Sequence, residues 1–568
     1  MLLLVPSMGV AAAMQEETAA AAAHGSPASR HATYPTGDTT QTGSQVAAIV
    51  AEPGVARARW GIAVTTLNGT PIYGLNEGQF FQPASNAKLF TTSAAMALLG
   101  GSATVETKVV GRGQWQGAAK LTGNLVIVGG ADANLNGREL PYVSAVERAA
   151  RRKAGVPAPP KADALRYLAA MADQVAATGL KEIQGDIVGD DTLFPWEPYA
   201  PDWAIDDTTW YYGAPVSALM VDDDQIDVVV YPGKAVGEPP RVTVTPAEPA
   251  YYALDLSGLK TGAAKSASHV DFDLPLGSRT LRIYGSLAVD AAPDAEGIAI
   301  HDPAVYAAMA FKQMLEARDV TVSGTARAEH RAASTAQEFL SESLKPLHSL
   351  ILDEGAVGGY GAGRSPMLYS CDHCDPATLP VERELARHTS PTLAEDIVLT
   401  NKVSQNQHAE LMLHRLGVVL GAEGAANGSG AEGVRVVRQF LVQAGLDPGD
   451  FVFYDGSGLS GHDLVTPRAT AQLLRFAATQ PWFAAWKASL PVAGEDGTLA
   501  ARFPKAPLKD HLFAKTGTLG EARALSGYVE AASGQTLIFS VMVNAHSPAT
   551  NTDRDAMDRM VAAIAAAN

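Results

Sequence analysis

The sequence predicts a multidomain protein of mixed α/β and α+β class, with about three domains. Three observations carry this. The 568 residues, 47% hydrophobic and 18% charged, are enough for several soluble cores. The pattern changes at about residue 111, from a hairpin and helix to alternating strand and helix signals. Between about 213 and 296 it changes again, to short alternating segments that predict a small all-β unit.

Taken in order, residues 45–58 predict a helix. Trp60 to Thr66 and Pro71 to Leu75 then read as strands around Asn68-Gly69, a hairpin turn signal. Pro83 opens the next helix, whose apolar Phe90, Ala94, Ala97 and Leu98 recur at helical spacing before Gly100-Gly101 stop it. In the α/β insert, Leu125 to Val128 and Ile187-Val188 predict strands and Ala162 to Thr178 a helix, and residues 297–330 return to it. Ile226 to Tyr231, Val242 to Val244 and Thr280 to Tyr284 supply the β unit between. The triplet Asp222-Asp223-Asp224 reads as a solvated turn, because consecutive strand residues point to opposite faces and do not converge on a metal. Further on, Ala409, Met412, Leu413 and Leu416 make a helical stripe. Lys515 opens a segment running through Val529, which turns at Ser533-Gly534 and returns as Thr536 to Val543, a β-hairpin. Met557, Met560, Val561 and Ile564 line a last helix that packs on the sheet.

The formal net charge of −17 argues against nucleic acid and anionic membrane surfaces as partners. No apolar run reaches the length of about 18 residues needed for a transmembrane helix. Met1 to Ala13 resembles a secretory signal without its basic start, and residues 15–43 predict a disordered leader, so 1–44 is excluded from the fold. Cys371-Asp372-His373-Cys374 does not complete a tetrahedral zinc site; a local disulfide is expected, with an inert reduced pair as the alternative. No cofactor or metal is expected.

Three motifs carry the chemistry: Ser85-Asn86-Ala87-Lys88, Ser404-Gln405-Asn406 and Lys515-Thr516-Gly517-Thr518. Ser85 and Lys88 share a helical face. A serine hydroxyl needs a base, and a lysine serves if desolvation or cationic neighbours lower its pKa. Taken alone, Ser85 would be an N-cap and Lys88 a solvated residue. Ser404 and Asn406 lie two apart before a helix and can face one side, as a proton relay beside an amide-binding group. Gly517 allows close backbone approach, and the glycine spacing of a phosphate loop is missing.

In this order the motifs resemble those of the penicillin-recognising serine acyl enzymes. With Asp455-Gly456-Ser457-Gly458-Leu459-Ser460, Leu490-Pro491-Val492-Ala493-Gly494, Ala524 to Val529 and a gap of about 315 residues between the first two motifs, the chain resembles class C low-molecular-mass penicillin-binding proteins. The resemblance implies a β-lactamase/transpeptidase-like domain, an antiparallel sheet flanked by helices, at 45–110 and 385–568. It implies an inserted α/β domain at 111–212 and 297–330 and a nested β domain at 213–296. Residues 331–384 form an excursion atypical of the family.

The implied activity is that of an exported, periplasmic or cell-wall serine D,D-peptidase acting on peptidoglycan peptides and binding β-lactams, with homo-oligomerisation left open. Its catalytic residues would be Ser85, Lys88, Ser404, Asn406 and Lys515, and its substrate-binding residues Thr516, Gly517 and Thr518. Gly189 to Phe194 resembles the segment whose Asp, here Asp191, binds the diaminopimelate ammonium; a turn-capping role is the alternative. Gly461-His462-Asp463 departs from the family's usual Arg and Asn. A β-lactamase and a non-catalytic peptidoglycan-binding scaffold are the competing functions.

Overall fold

The computed structural model describes residues 33–36, 40–157, 162–333, 338–347, 382–421, 427–547 and 550–568. Most of the expected leader and both cysteines lie outside them. Its central element is a five-stranded antiparallel sheet in the order Leu512–Leu519, Ala522–Glu530, Thr536–Asn544, Arg59–Thr66, Pro71–Leu75. The chain's two ends meet here, since Trp60 pairs with Val543 and Val64 with Phe539.

Strand periodicity gives this sheet two apolar faces. Ala63, Ala524, Tyr528, Ile538 and Met542 pack under the helices Ala87–Leu98, Gly430–Gln443 and Pro467–Ala478. Ile62, Val64, Leu525, Phe539 and Val541 meet the terminal helices Gln41–Val50 and Thr552–Ala567 on the other side. The predicted stripe Met557, Met560, Val561, Ile564 is buried there. The expected single run from Lys515 to Val529 is in fact two strands. Leu519 and Ala522 are paired across a turn at Gly520-Glu521, within a stretch where apolar residues continue on both sides.

The first helix among the described residues runs over Gln41–Val50, earlier than expected, capped by the Thr40 side chain on the Gly43 N–H. The chain before it is also ordered by contacts: the Pro35 carbonyl accepts the Gly74 N–H at 3.0 Å, and Tyr34 is buried against the core. The leader therefore ends earlier than residue 44.

The insertion is built on a seven-stranded mixed sheet that includes Glu106–Gln116, Lys120–Val128, Ile187–Pro195 and Ala326–Arg331, with helices Arg166–Ala177 and Pro303–Glu316. The boundaries expected at 110 and 385 cut this sheet. Glu106–Gln116 lies wholly in it, and Glu382–Thr389 is its antiparallel neighbour, pairing Glu384 with Val110 and Thr389 with Glu106. The insert's sheet thus closes at Thr389, not before residue 331. Within the insert, two small sheets form the nested β unit: Gln225–Tyr231 with its neighbours, and Thr280–Ala288 with its neighbours. In the excursion, the described helix Phe339–Ser343 packs on Gly430–Gln443, and Arg435 Nε donates to the Lys345 carbonyl at 3.0 Å.

Candidate active site

The nucleophile turn is shaped by its neighbours. Ser85 sits in one 3-10 turn, Ala84–Asn86, that leads directly into the helix Ala87–Leu98. Ala84 has φ of +46°, a left-handed conformation that a non-glycine residue keeps only when its surroundings enforce it. Two glycines allow that enclosure. A Cβ on Gly517 would lie 2.7 Å from the Pro83 carbonyl oxygen, and one on Gly458 only 1.9 Å from the Ala84 carbonyl oxygen. Gly517 is thus needed for the strand to approach the serine turn, not only for substrate approach. Asn86 Nδ2 ties the turn to the strand by donating to the Lys515 carbonyl at 3.0 Å.

The three motifs converge. Lys88 Nζ reaches Ser85 Oγ at 2.9 Å, Asn406 Oδ1 at 2.6 Å and the Ser457 carbonyl at 2.8 Å. Lys515 Nζ donates to Ser404 Oγ at 2.8 Å and to the Thr516 carbonyl at 2.9 Å. Asn406 Nδ2 donates to the Tyr212 carbonyl at 2.8 Å, so the insert fixes that amide from the far side. Thr516 and Thr518 lie on one edge of the strand, Thr518 exposed, with Thr516 Oγ1 2.7 Å from Thr498 Oγ1.

Electrostatics distinguish the two lysines. Both are fully buried. Burial lowers Lys88 to about 7, against the attraction of Asp455, Glu410 and Asp463. Burial also pushes Lys515 well below its ordinary value, and the like charge of Lys88 adds to this. Lys88 alone combines a pKa near neutrality with contact to the serine hydroxyl, the combination a general base needs.

Asp455 organises the loop that supplies the Ser457 carbonyl. Its carboxylate accepts the N–H groups of Ser457, Gly458 and Ser460 and the Trp203 indole N–H at 2.9 Å. The Gly456 N–H donates to both oxygens of Glu410, whose pKa burial raises to about 8. At the family-atypical Gly461-His462-Asp463, the Gly461 carbonyl accepts Gln82 Nε2 at 2.7 Å and buried Asp463 accepts the Tyr454 N–H at 2.7 Å. The loop is therefore closed by Asp463 without the usual residues. From the sequence this run carries only a resemblance and no role, and the carbonyls of Ser457 and Tyr212 and the hydroxyl of Thr498 are not foreseen at all. Backbone acceptors leave no residue-type signature.

Two acidic sites are buried. Asp191 is 2% exposed, its oxygens occupied by Ser217 Oγ at 2.9 Å and His330 Nδ1 at 2.8 Å. It is a buried ion-pair partner with both oxygens already engaged. Burial works against charged His330, but its hydrogen bonds to Asp191 and Asp302 outweigh this and raise it to about 10. Asp222-Asp223-Asp224 is not a solvated turn: Asp223 and Asp224 are buried, and Asp223 is ion-paired with Arg138. Among the described residues no group of three His, Cys, Asp or Glu side chains is arranged to hold a metal.

A serine and a lysine one helical turn apart, facing a strand-borne lysine beside an antiparallel sheet, define a penicillin-recognising serine hydrolase in fold and site. Comparison with known proteins agrees. The model of the D-Ala-D-Ala carboxypeptidase 3 (S13) family matches residues 42–353 and 377–564. A D-alanyl-D-alanine carboxypeptidase of an Actinomadura species is 33% identical over 531 residues, 91% of this chain and 84% of that protein. The D-alanyl-D-alanine carboxypeptidase DacB of Haemophilus influenzae is 23% identical over 83% of this chain and 82% of its own. The crystal structure of penicillin binding protein 4 from Haemophilus influenzae superposes with a TM-score of 0.68 at 21% identity, covering 91% of this chain and 97% of that one. The chain belongs to this carboxypeptidase family and is a low-molecular-mass class C penicillin-binding protein, an enzyme of the serine-type D-Ala-D-Ala carboxypeptidase class. No helix among the described residues is long and apolar enough to cross a membrane.

Proposed function

We propose that this chain is an exported D,D-peptidase of the periplasm or cell wall. It removes the terminal D-Ala of peptidoglycan stem peptides and cleaves D-Ala-diaminopimelate crosslinks through an acyl-enzyme on Ser85. The observation that carries this is the contact of buried Lys88 Nζ with Ser85 Oγ at 2.9 Å, with Lys515 Nζ holding Ser404 Oγ at 2.8 Å on the other side.

Neutral Lys88 takes the Ser85 proton as Oγ attacks the carbonyl of the penultimate D-Ala. The Ser85 and Thr518 N–H groups receive the oxyanion; one such donor contributes about 3 to 4 kcal/mol in well-studied proteases. Asn406 orients the substrate amide, and its own grip on Lys88 aligns the amine with the hydroxyl. Ser404, next to Lys515, returns a proton to the leaving amine. Thr516 and Thr518 bind the carboxylate of the departing residue, which a penicillin also carries, and Gly517 keeps that edge close to the serine. Water then attacks the acyl-enzyme, Lys88 again accepts the proton, and Ser85 is released.

The test is product analysis. Purified enzyme incubated with muropeptides is expected to release free D-Ala from pentapeptide stems and to convert crosslinked dimers to monomers, and Ser85→Ala is expected to do neither. A folded wild-type protein that leaves both substrates intact would refute the proposal.

A further inference from the structure

Asp223, from the insert, points into the catalytic domain and meets five donor atoms from four side chains, more than any ordinary solvated turn carboxylate would meet. Arg138 donates to its Oδ2 through Nε at 2.7 Å and through Nη2, and Gln405 Nε2 donates to the same oxygen at 2.5 Å. Asn136 Nδ2 donates to Oδ1 at 3.0 Å, and His408 Nε2 lies 3.4 Å from it. The opposite nitrogen of His408 is held by Asp396 at 2.6 Å. Asp223, Asn136, Gln405, His408 and Asp396 are all buried. Burial disfavours the charged carboxylate, but Arg138 and His408 outweigh it and hold Asp223 well below the usual carboxylate range.

Gln405 is the middle residue of the Ser404-Gln405-Asn406 motif. Ser404 has φ of +65°, left-handed and disfavoured for serine, so an outside contact must hold the turn. The Gln405 side chain makes no capping bond to the helix Asn406–Leu420 that it precedes; its amide is directed to Asp223. His408, three residues beyond Gln405 on that helix, is gripped by the same carboxylate. The turn that aims Ser404 at Lys515 and Asn406 at Lys88 is therefore clamped from beneath by the insert.

We propose that Asp223 is a positioning residue of the acylation step. Through Gln405 it fixes the left-handed Ser404 turn and thereby the placement of the Ser404 and Asn406 side chains against the two lysines. The inference rests on the acyl-enzyme reading given above and assigns a task to the inserted domain within it.

Stopped-flow acylation by a chromogenic cephalosporin separates the reversible dissociation constant from the limiting acylation rate. Gln405→Leu keeps approximate volume and removes the donor. It is expected to lower the limiting rate by about tenfold or more while changing the dissociation constant by less than about twofold. Asp223→Asn gives the second readout. Its amide oxygen still accepts Arg138 and Gln405 while its nitrogen confronts Asn136 and His408, so it should lower the melting temperature more than Gln405→Leu but the acylation rate less. A merely structural role predicts the opposite, with rate loss following stability loss. If Asp223→Asn does not fold, Gln405→Leu alone decides. A limiting rate within about twofold of wild type would overturn the inference. A folded wild-type protein that is not acylated would refute the acyl-enzyme reading itself, whereas a reactive wild type with an equally reactive Gln405→Leu would refute only the clamp.

Discussion

Acylation of Ser85 should accelerate as pH rises through neutrality, because the group that takes its proton must first lose its own. Burial lowers Lys88 to about 7. A base of that pKa is about one-tenth neutral at pH 6 and about nine-tenths neutral at pH 8, which gives a rate increase of about tenfold over this interval. A solvated lysine of ordinary pKa would give a rise of about a hundredfold, with no plateau below pH 9. The assay is the second-order rate constant for acylation by a fluorescent penicillin, measured from pH 5.5 to 9.5 at constant ionic strength. Lys88→Met should lose about 100- to 10,000-fold and lose the rising limb as well. A wild-type profile that is flat, falls with pH, or survives in Lys88→Met would refute the assignment of Lys88 as the base.

Gly458→Ala should destabilise the protein by about 2 to 4 kcal/mol and slow acylation. Its φ is +81° and the added Cβ would meet the Ala84 carbonyl oxygen at 1.9 Å, so either the loop or the nucleophile turn must move. Urea denaturation checks it, and an unchanged midpoint would contradict the packing described here. Asp191→Asn should lower the melting temperature, and the loss should depend on pH. Asp191 and Asp302 together raise His330 from 6.5 to about 10, so the share that Asp191 contributes is fully present below pH 6.5 and disappears as pH rises through about 10. Melting curves at pH 6, 8 and 10 should therefore converge for wild type and variant. Equal deficits at pH 6 and 10 would show that the ion pair contributes nothing.

The legibility of the sequence followed the distance over which each contact is made. Ser85 and Lys88 are three residues apart on one helix, and their relation is local. Ser404, Asn406 and Lys515 carried no local evidence of meeting them, and only their order and motif context brought them to one site. Asp223 was misread because everything that buries it is remote: Arg138 lies 85 residues away, Gln405 182 and His408 185. Three successive aspartates look solvated until those partners are in place. The burial of Asp191 was illegible for a similar reason, since His330 is 139 residues away. The insert's boundaries were misplaced because Glu382–Thr389 runs as three charged residues, two apolar ones and three polar ones, without the period-two alternation that marks a half-buried strand, and nothing in it names Glu106–Gln116 as its neighbour. The missed turn at Gly520-Glu521 has only one glycine between two apolar stretches, a weak break. The terminal helix and the hairpin at Asn68-Gly69 were legible because each has strong local periodicity or turn chemistry.

The most direct test of the central claim is intact mass spectrometry of the purified chain and its Ser85→Ala variant after incubation with a penicillin, with the adduct mapped to its peptide. The account predicts a mass increase equal to one penicillin on wild type, located at Ser85, and an unmodified variant. A folded wild type that gains no mass, or an adduct that persists in Ser85→Ala, would contradict it.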